Sequence, residues 1–212
     1  MRPLLILAAL CLLTACGPPL SPAEKAFARQ IHGDSLNVNR IRFHQADLLG
    51  SVTYKRDRRP RLTCRERIVP EPEEKIVTVS PAALALWNRV IYSKDWYAED
   101  YLPNYPREMS LVHAMLFAHE IVHIWQWQNR AQTGYTPLRA GWEHRASDDP
   151  YLFDVGTEAR FLDYGFEQQA SIVEEYVCCA ALDPDAPRTE RMKEMLSEAF
   201  PLGQLYIPRE VR

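Results

Sequence analysis

One long apolar helical pattern, with two histidines and a glutamate set into it, constrains this chain more than any other feature. Residues 108–130 give the longest helical pattern of the 212-residue sequence. It is apolar on most faces, as a helix through the middle of a core is. Glu108 suits its start, and Gly134 and Pro137 end it. Inside it, His119-Glu120-Ile121-Val122-His123 matches H-E-x-x-H. Helix positions i and i+4 lie on one face a turn apart, so two imidazoles can reach one Zn2+. Glu120 is turned by about 100° from His119 and stands beside a metal held there, not on it. From that position it can take a proton from water and pass it to a leaving amine. The competing reading is a pair of hydrogen-bonded core histidines with Glu120 at the surface. Buried polar groups in an apolar helix are costly without a ligand or partner, which favours the metal. His113 lies about 240° round the helix from His119 and falls outside the ligand set.

A catalytic zinc takes three protein ligands and keeps one open position. Positions 126 and 129 are Gln and Asn, so the metzincin extension of the motif is excluded. The third ligand is expected C-terminal, on another element. Glu167, at the start of the helical pattern Phe166 to Leu182, is the best candidate. Glu174 and Glu175 on the same helix are rivals, although a solvated carboxylate is the favoured reading for both. Ser171, one turn after Glu167, or Glu174 could orient a ligand from behind. Donors for transition-state charge are sought between the second His and Glu167: His144, Tyr151, Arg160 and Tyr164. Tyr164 is nearest the proposed ligand, and Tyr164 and His144 join Glu120 as the catalytic candidates. Trp125 and Trp127 pack or wall a cleft.

The N-terminus reads as an address. Arg2 supplies one positive charge, and Leu4 to Leu13 is an unbroken apolar run of ten residues. Ten helical residues reach about 15 Å, half of a hydrocarbon core of about 30 Å, so this is a signal-peptide core. Leu13-Thr14-Ala15-Cys16 resembles the lipobox of bacterial lipoproteins, in which the Cys is acylated and becomes the new N-terminus. The competing reading is an ordinary signal peptide with a nearby Cys. The expected organisation is therefore residues 1–15 as signal peptide and 16–20 as a lipid-anchored tether. One domain over 21–200 and a tail over 201–212 follow. The location is the bacterial cell envelope, on the periplasmic or outer-membrane face.

Hydrophobic residues make up 47% of the chain, with Trp 5, Tyr 10 and Phe 7, enough aromatic material for a core. A net charge of −3 argues against nucleic acid as a partner. The oxidising compartment makes a disulfide possible among Cys64, Cys178 and Cys179. A vicinal Cys178–Cys179 bridge on a helix would be strained, which leaves Cys64 with one of that pair as the candidate bridge; the competing reading is three small buried apolar residues. The cysteine spacing excludes a zinc knuckle.

Along the chain, Ser21-Pro22-Ala23-Glu24 opens a helix over 22–32, with Gly33 as its stop. Asn39 to His44, Val52 to Tyr54, Leu62 to Val69 and Lys75 to Val79 are strand candidates. Ser80-Pro81 opens a further helix. Lys55 to Arg67 is strongly basic and reads as a solvated hairpin, with contact to anionic lipid or cell-wall polymer as the functional alternative. Residues 94–107 form a loop, 131–165 are mostly irregular, and 187–200 form a last amphipathic helix. The fold class is α+β, with a small, mainly antiparallel sheet packed on helices.

Three stretches together carry a family resemblance. They are Leu20-Ser21-Pro22-Ala23-Glu24 through Ile41-Arg42-Phe43-His44, His119 to Gln126, and Tyr151-Leu152-Phe153-Asp154 through Asp163-Tyr164-Gly165-Phe166-Glu167-Gln168-Gln169-Ala170. They resemble a bacterial zincin-like family described as Vgr-related, a domain associated with contractile injection systems. The likeness covers roughly residues 20–182. It implies a zincin-like fold, His119, His123 and Glu167 as zinc ligands, and Glu120 as the catalytic acid and base. The lipoprotein signal, the basic insert near 55–67 and Ser171, where a larger polar residue is expected, depart from the family pattern.

The expected activity is a zinc metallopeptidase of the gluzincin arrangement, tethered to the membrane through lipidated Cys16 and acting on a peptide or protein. An extended substrate would pair with a strand from residues 62–79. The first alternative is a non-catalytic zinc-stabilised module that binds a secretion-system or toxin partner. The second is an amidase acting on the peptidoglycan stem peptide.

Overall fold

The computed structural model describes residues 17–46, 52–55, 64–68, 74, 76–147, 149–202, 205–208 and 210–211. The signal-peptide and lipidation readings, including Cys16, lie outside these residues. No helix among the described residues is long and apolar enough to cross a membrane.

The first helix, α1 (Pro22–His32), forms where its sequence signals place it. Ser21 Oγ accepts from the Glu24 N–H at 3.1 Å, and the Ser21 N–H donates to Glu24 Oε2 at 2.8 Å. Gly33, at φ +54°, ends the helix in a backbone conformation that other residues rarely adopt. Glu24 has a second task, because its Oε1 accepts the buried Tyr101 N–H at 2.9 Å.

Strands β1 (Arg42–Gln45), β4 (Ala83–Leu86) and β5 (Arg89–Tyr92) form the main sheet, in the order β1-β5-β4. β1 runs parallel to β5, and β4 runs antiparallel to it. β2 (Val52–Lys55) pairs antiparallel with β3 (Ile76–Val79), and β6 (Glu108–Met109) pairs parallel with β7 (Glu210–Val211). The pairing is therefore mixed, not mainly antiparallel. The helix expected from Ser80-Pro81 is also replaced: residues 83–92 make a hairpin that turns at Trp87-Asn88, with Trp87 at φ +56°. Helix propensity in an Ala/Leu segment is weak, and pairing with β5, itself fixed by β1, overrides it.

The central helix α2 (Leu111–Gln128) is buried along most of its surface. It is followed by the short α3 (Arg130–Thr133), then α4 (Pro137–Ala146), α5 (Phe166–Leu182) and α6 (Pro187–Ser197). α4 interrupts the stretch 131–165, which the sequence marks as mostly irregular. Thr136 Oγ1 accepts the Arg139 N–H at 3.2 Å and Pro137 takes the first turn, so Pro137 opens a helix as well as following one. The strand expected over 62–69 is, in its described part, a single turn over Arg65–Arg67. Its backbone is held by a helix side chain: Glu175 accepts the Cys64 and Arg65 N–H groups at 2.5 and 3.1 Å.

α2 lies between α5 on one side and the β4 edge of the sheet on the other. One aromatic cluster joins α1, the sheet and α2, with Phe43 edge-on to Tyr92 at 5.2 Å and Phe27 edge-on to Phe117 at 6.0 Å. A second closes the far end, where Trp125, Phe161 and Phe200 meet. The C-terminal segment is docked there: Leu205 is buried, and the Tyr206 N–H donates to Gln30 Oε1 at 2.7 Å.

The two roles of Glu24 separate by mutation. Ser21→Ala removes one cap and lowers unfolding free energy by about 1 kcal/mol. Glu24→Ala also strands the Tyr101 N–H and costs about 2–3 kcal/mol. Urea unfolding of both variants checks this, and equal losses would show that the Tyr101 contact carries no weight.

Candidate metal centre

The helical spacing of the motif does what geometry requires. His119 and His123 project from one face of α2, with ring centroids 5.1 Å apart. Their Nε2 atoms each lie 3.3 Å from Glu167 Oε2, which reaches across from the first turn of α5. The three ligand atoms lie within 4.8 Å of one another, and among the described residues this is the one such group of His, Cys, Asp or Glu side chains. Ordinary zinc–nitrogen and zinc–oxygen bonds in a tetrahedron put neighbouring ligand atoms about 3.3 Å apart. The donor set and its spacing therefore fit a metal ion of that kind.

Each ligand is held from behind. His119 Nδ1 faces Glu174 Oε2 at 3.1 Å, and Glu174 Oε1 accepts from Arg65 Nε at 2.8 Å. His123 Nδ1 faces Gln126 Oε1 at 2.9 Å. Gln126 Nε2 donates to the Phe166 carbonyl and to Gln169 Oε1, both at 3.0 Å, and Gln169 Nε2 donates to the Tyr164 carbonyl at 2.7 Å. A Nδ1–H bound this way fixes the tautomer that leaves the Nε2 lone pair free for a metal. The Glu167 backbone is fixed as well, because Glu143 of α4 accepts the Phe166 N–H at 2.6 Å. A Cβ at Gly165 would stand 2.6 Å from that same Glu143 Oε1, so a side chain there would push the carboxylate off its bond to Phe166.

The electrostatics favour a cation. Burial opposes charge on His119, but hydrogen bonds to Glu167 and Glu174 outweigh it and push the imidazole up to about 10. Burial likewise acts against Glu167 and Glu174, yet the histidines hold both carboxyls below their ordinary range, Glu167 well below it. Glu120 differs: it is buried, burial raises its carboxyl, and its Oε2 has no hydrogen-bond partner among the described residues.

A cleft opens over these groups. His119, Glu120, His123 and Glu167 form its floor, β4 one wall, and Pro137, Ala140, Gly141 and His144 of α4 the other, with Tyr135 and Tyr151 between. Among the described residues β4 is an edge strand. The Ser93 N–H donates to the Ala82 carbonyl at 2.9 Å, and with the Leu84↔Ile91 register this assigns residues 82, 84 and 86 to bonds with the β5 side. The backbone groups of Ala83 and Ala85 are left facing the open edge.

The candidates named from sequence separate clearly. His144 lines the cleft, its Nε2 3.1 Å from the Tyr151 hydroxyl, and the Tyr151 ring lies 6.1 Å from that of His119. Tyr164 does not line the cleft; its hydroxyl donates to the Asp154 carbonyl at 2.5 Å and meets Thr157. Arg160 pairs with Asp163 at the surface. Ser171 is buried on α5, but the side chain that reaches His119 is that of Glu174. The solvated reading of Glu174 and Glu175 is corrected: Glu174 supports His119, and Glu175, 2% exposed, holds the Cys64–Arg65 backbone. His113 packs on Tyr101, away from the ligands. Sequence reading missed Gln126, Gln169, Glu143, Arg65 and Tyr135. Gln126 had a signal, three residues after His123 on the same face, whereas Arg65 had none.

The fold is similar to that of the effector domain of Pseudomonas aeruginosa VgrG2b, with a TM-score of 0.56 and 20% identity over 87% of this chain and 84% of that one. Neither a protein-family model nor a curated protein matches the chain.

Two outcomes test the site. Glu174→Ala weakens dication affinity by about 10–100-fold while His123→Ala removes it, measured by competition with a chromogenic chelator. Both His119 and His123 hold their protons more strongly than an ordinary imidazole, because carboxylates stand beside them, so dication binding competes with protons and weakens as pH falls. Calorimetry in buffers of different ionisation enthalpy reads the proton release, and binding with no release at or below neutral pH would remove the raised proton affinity of these two side chains.

Proposed function

We propose that the protein is a zinc metallopeptidase. The carrying observation is the orphaned, buried Glu120 carboxylate beside three converging ligand atoms at the floor of an open cleft. Two histidines and a glutamate from a following helix make the gluzincin donor set, with His119, His123 and Glu167 as the residues that would hold zinc. Bound there, zinc supplies Lewis acidity and brings the pKa of water towards about 7. Glu120 Oε2 takes the proton from the attacking water. The raised affinity of this carboxyl for protons suits it to keep that proton and hand it to the leaving amine nitrogen.

The rest of the cleft supports an extended peptide as substrate. The backbone groups of Ala83 and Ala85, which meet no other strand among the described residues, can add such a chain to the sheet as a further strand, laying its carbonyls over the metal site. This moves the substrate-pairing strand from residues 62–79, where sequence reading put it, to β4. The His144–Tyr151 pair, on the opposite wall, is the better placed donor for charge on the carbonyl oxygen. A zincin-like classification rests on the same motif and donor set. The lipobox sequence ending at Cys16 supports an anchor in the bacterial envelope.

Glu120→Gln separates a catalytic from a structural zinc. It keeps about one zinc per chain and lowers hydrolysis of a peptide library by about 10²–10⁴-fold, whereas His123→Ala loses both metal and turnover. Full turnover in Glu120→Gln overturns the reading and leaves a zinc-stabilised binding module.

A further inference from the structure

Glu167, Ser171, Glu174 and Cys178 follow one another at helical spacing along one stripe of α5. The stripe begins with a metal ligand, continues with the carboxylate that supports His119, and ends in a thiol. The Cys64–Ile68 segment lies over its second half. Cys64 Sγ is 2.7 Å from Cys178 Sγ, and the next residue, Arg65, binds Glu174 at 2.8 Å. The segment owes its position to α5, since Glu175 holds the Cys64 and Arg65 N–H groups and is itself paired with Arg188 at 3.3 Å. Cys179 completes the cluster, its thiol 3.5 Å from Glu175 Oε1. All three cysteines are buried free thiols.

We infer that Cys64 and Cys178 are a cross-linking pair, whose disulfide fastens the Cys64–Ile68 segment, and with it Arg65, over the α5 stripe. An approach of about 0.7 Å brings the two sulfurs to bonding distance. Cys178 and Cys179 are neighbours about 100° apart on the helix and do not bridge each other without breaking it. The step balances with a disulfide oxidant, a dithiol oxidase or oxidised glutathione. Its S–S bond breaks as the Cys64–Cys178 bond forms, through a mixed disulfide, and it takes the two electrons and two protons of the thiols. In the folded chain the hydrogen bond with Cys178, burial and the Glu175 carboxylate push the Cys64 thiol up to about 12. A thiol held that way is a poor nucleophile, so the bond forms as the chain folds and is shielded from reductant afterwards.

The cross-link is argued from the sulfur geometry alone. Its consequence rests on the metal reading of the site: it clamps the Arg65–Glu174–His119 relay at the far end from the ligand. Arg65 is therefore a positioning residue for His119, and the disulfide fixes Arg65.

The full-length chain, made in an oxidising compartment and purified without reductant, is denatured, alkylated, digested and sequenced by mass spectrometry. The expected result is a fragment joining Cys64 to Cys178, with the alkyl group on Cys179 and the link retained in Cys179→Ser. Reduction lowers Tm by several degrees, on the order of 10 °C, because the bond closes a loop of more than a hundred residues. Alkyl groups on all three cysteines, or a link placed at Cys179, overturn the pairing. Zinc affinity is then compared between the linked chain and the chain reduced while unfolded and refolded in reductant, and a weakening on the order of tenfold is expected in the reduced form. Equal affinity in the linked and the reduced form overturns the coupling to His119. Zinc binding absent in both redox states strikes the metal reading instead and leaves the sulfur result standing.

Discussion

The side-by-side packing of α2 and α5 is the constraint on which the rest of this structure depends. It sets His119 and His123 opposite Glu167, with both Nε2 atoms 3.3 Å from one carboxylate oxygen. Neither helix could carry these groups alone. α2 is nearly all buried, and imidazoles in it need polar partners. α5 supplies them along one stripe, Glu167 to the Nε2 atoms and Glu174 to His119 Nδ1. The helix pair is at once the centre of the hydrophobic core and the frame of the site.

That arrangement gathers several buried charges, and their balance explains its shape. Glu167 and Glu174 hold their protons weakly because the histidines stand beside them, and the histidines hold theirs strongly for the same reason. Glu120 feels the same charges, but burial outweighs the histidines and raises its carboxyl, and its outer oxygen has no hydrogen-bond partner among the described residues. The neutral amide ladder Gln126–Gln169 orients His123 without adding charge, whereas the anionic Glu174 orients His119 and is itself balanced by Arg65. The two histidines are therefore supported by different chemistry, and only the His119 side is tied to a distant segment of chain.

The cleft follows from what surrounds the helix pair. β4 reaches it because β5 pairs on one side with β1 and on the other with β4, leaving the outer edge of β4 over α2. α4 forms the facing wall and is fastened to the start of α5 through Glu143, next to Glu167. Leu138 and Trp142 of α4 stand exposed, at 86% and 73%.

The amino-acid sequence by itself determined the local features. The capping box at Ser21, the boundaries of α1 and α5, the spacing that puts His119 and His123 on one helix face and the flanking place of Glu120 are legible because helical periodicity and capping act within a few residues, and Glu167 is legible as the candidate that converges on them. Tertiary structure decided everything that depends on partners far apart in the chain. It made a strand of Ala83–Leu86 against its helix propensity, because β5 was there to pair with. It turned Tyr164 away from the cleft and brought His144 and Tyr151 to it, and it chose Glu174 over Ser171 as the support for His119. It also joined Arg65 to Glu174 and Cys64 to Cys178, contacts 109 and 114 residues apart in sequence. No pattern in a single sequence encodes such a separation, since the free energy that selects those pairs is gained only when the core between them has closed.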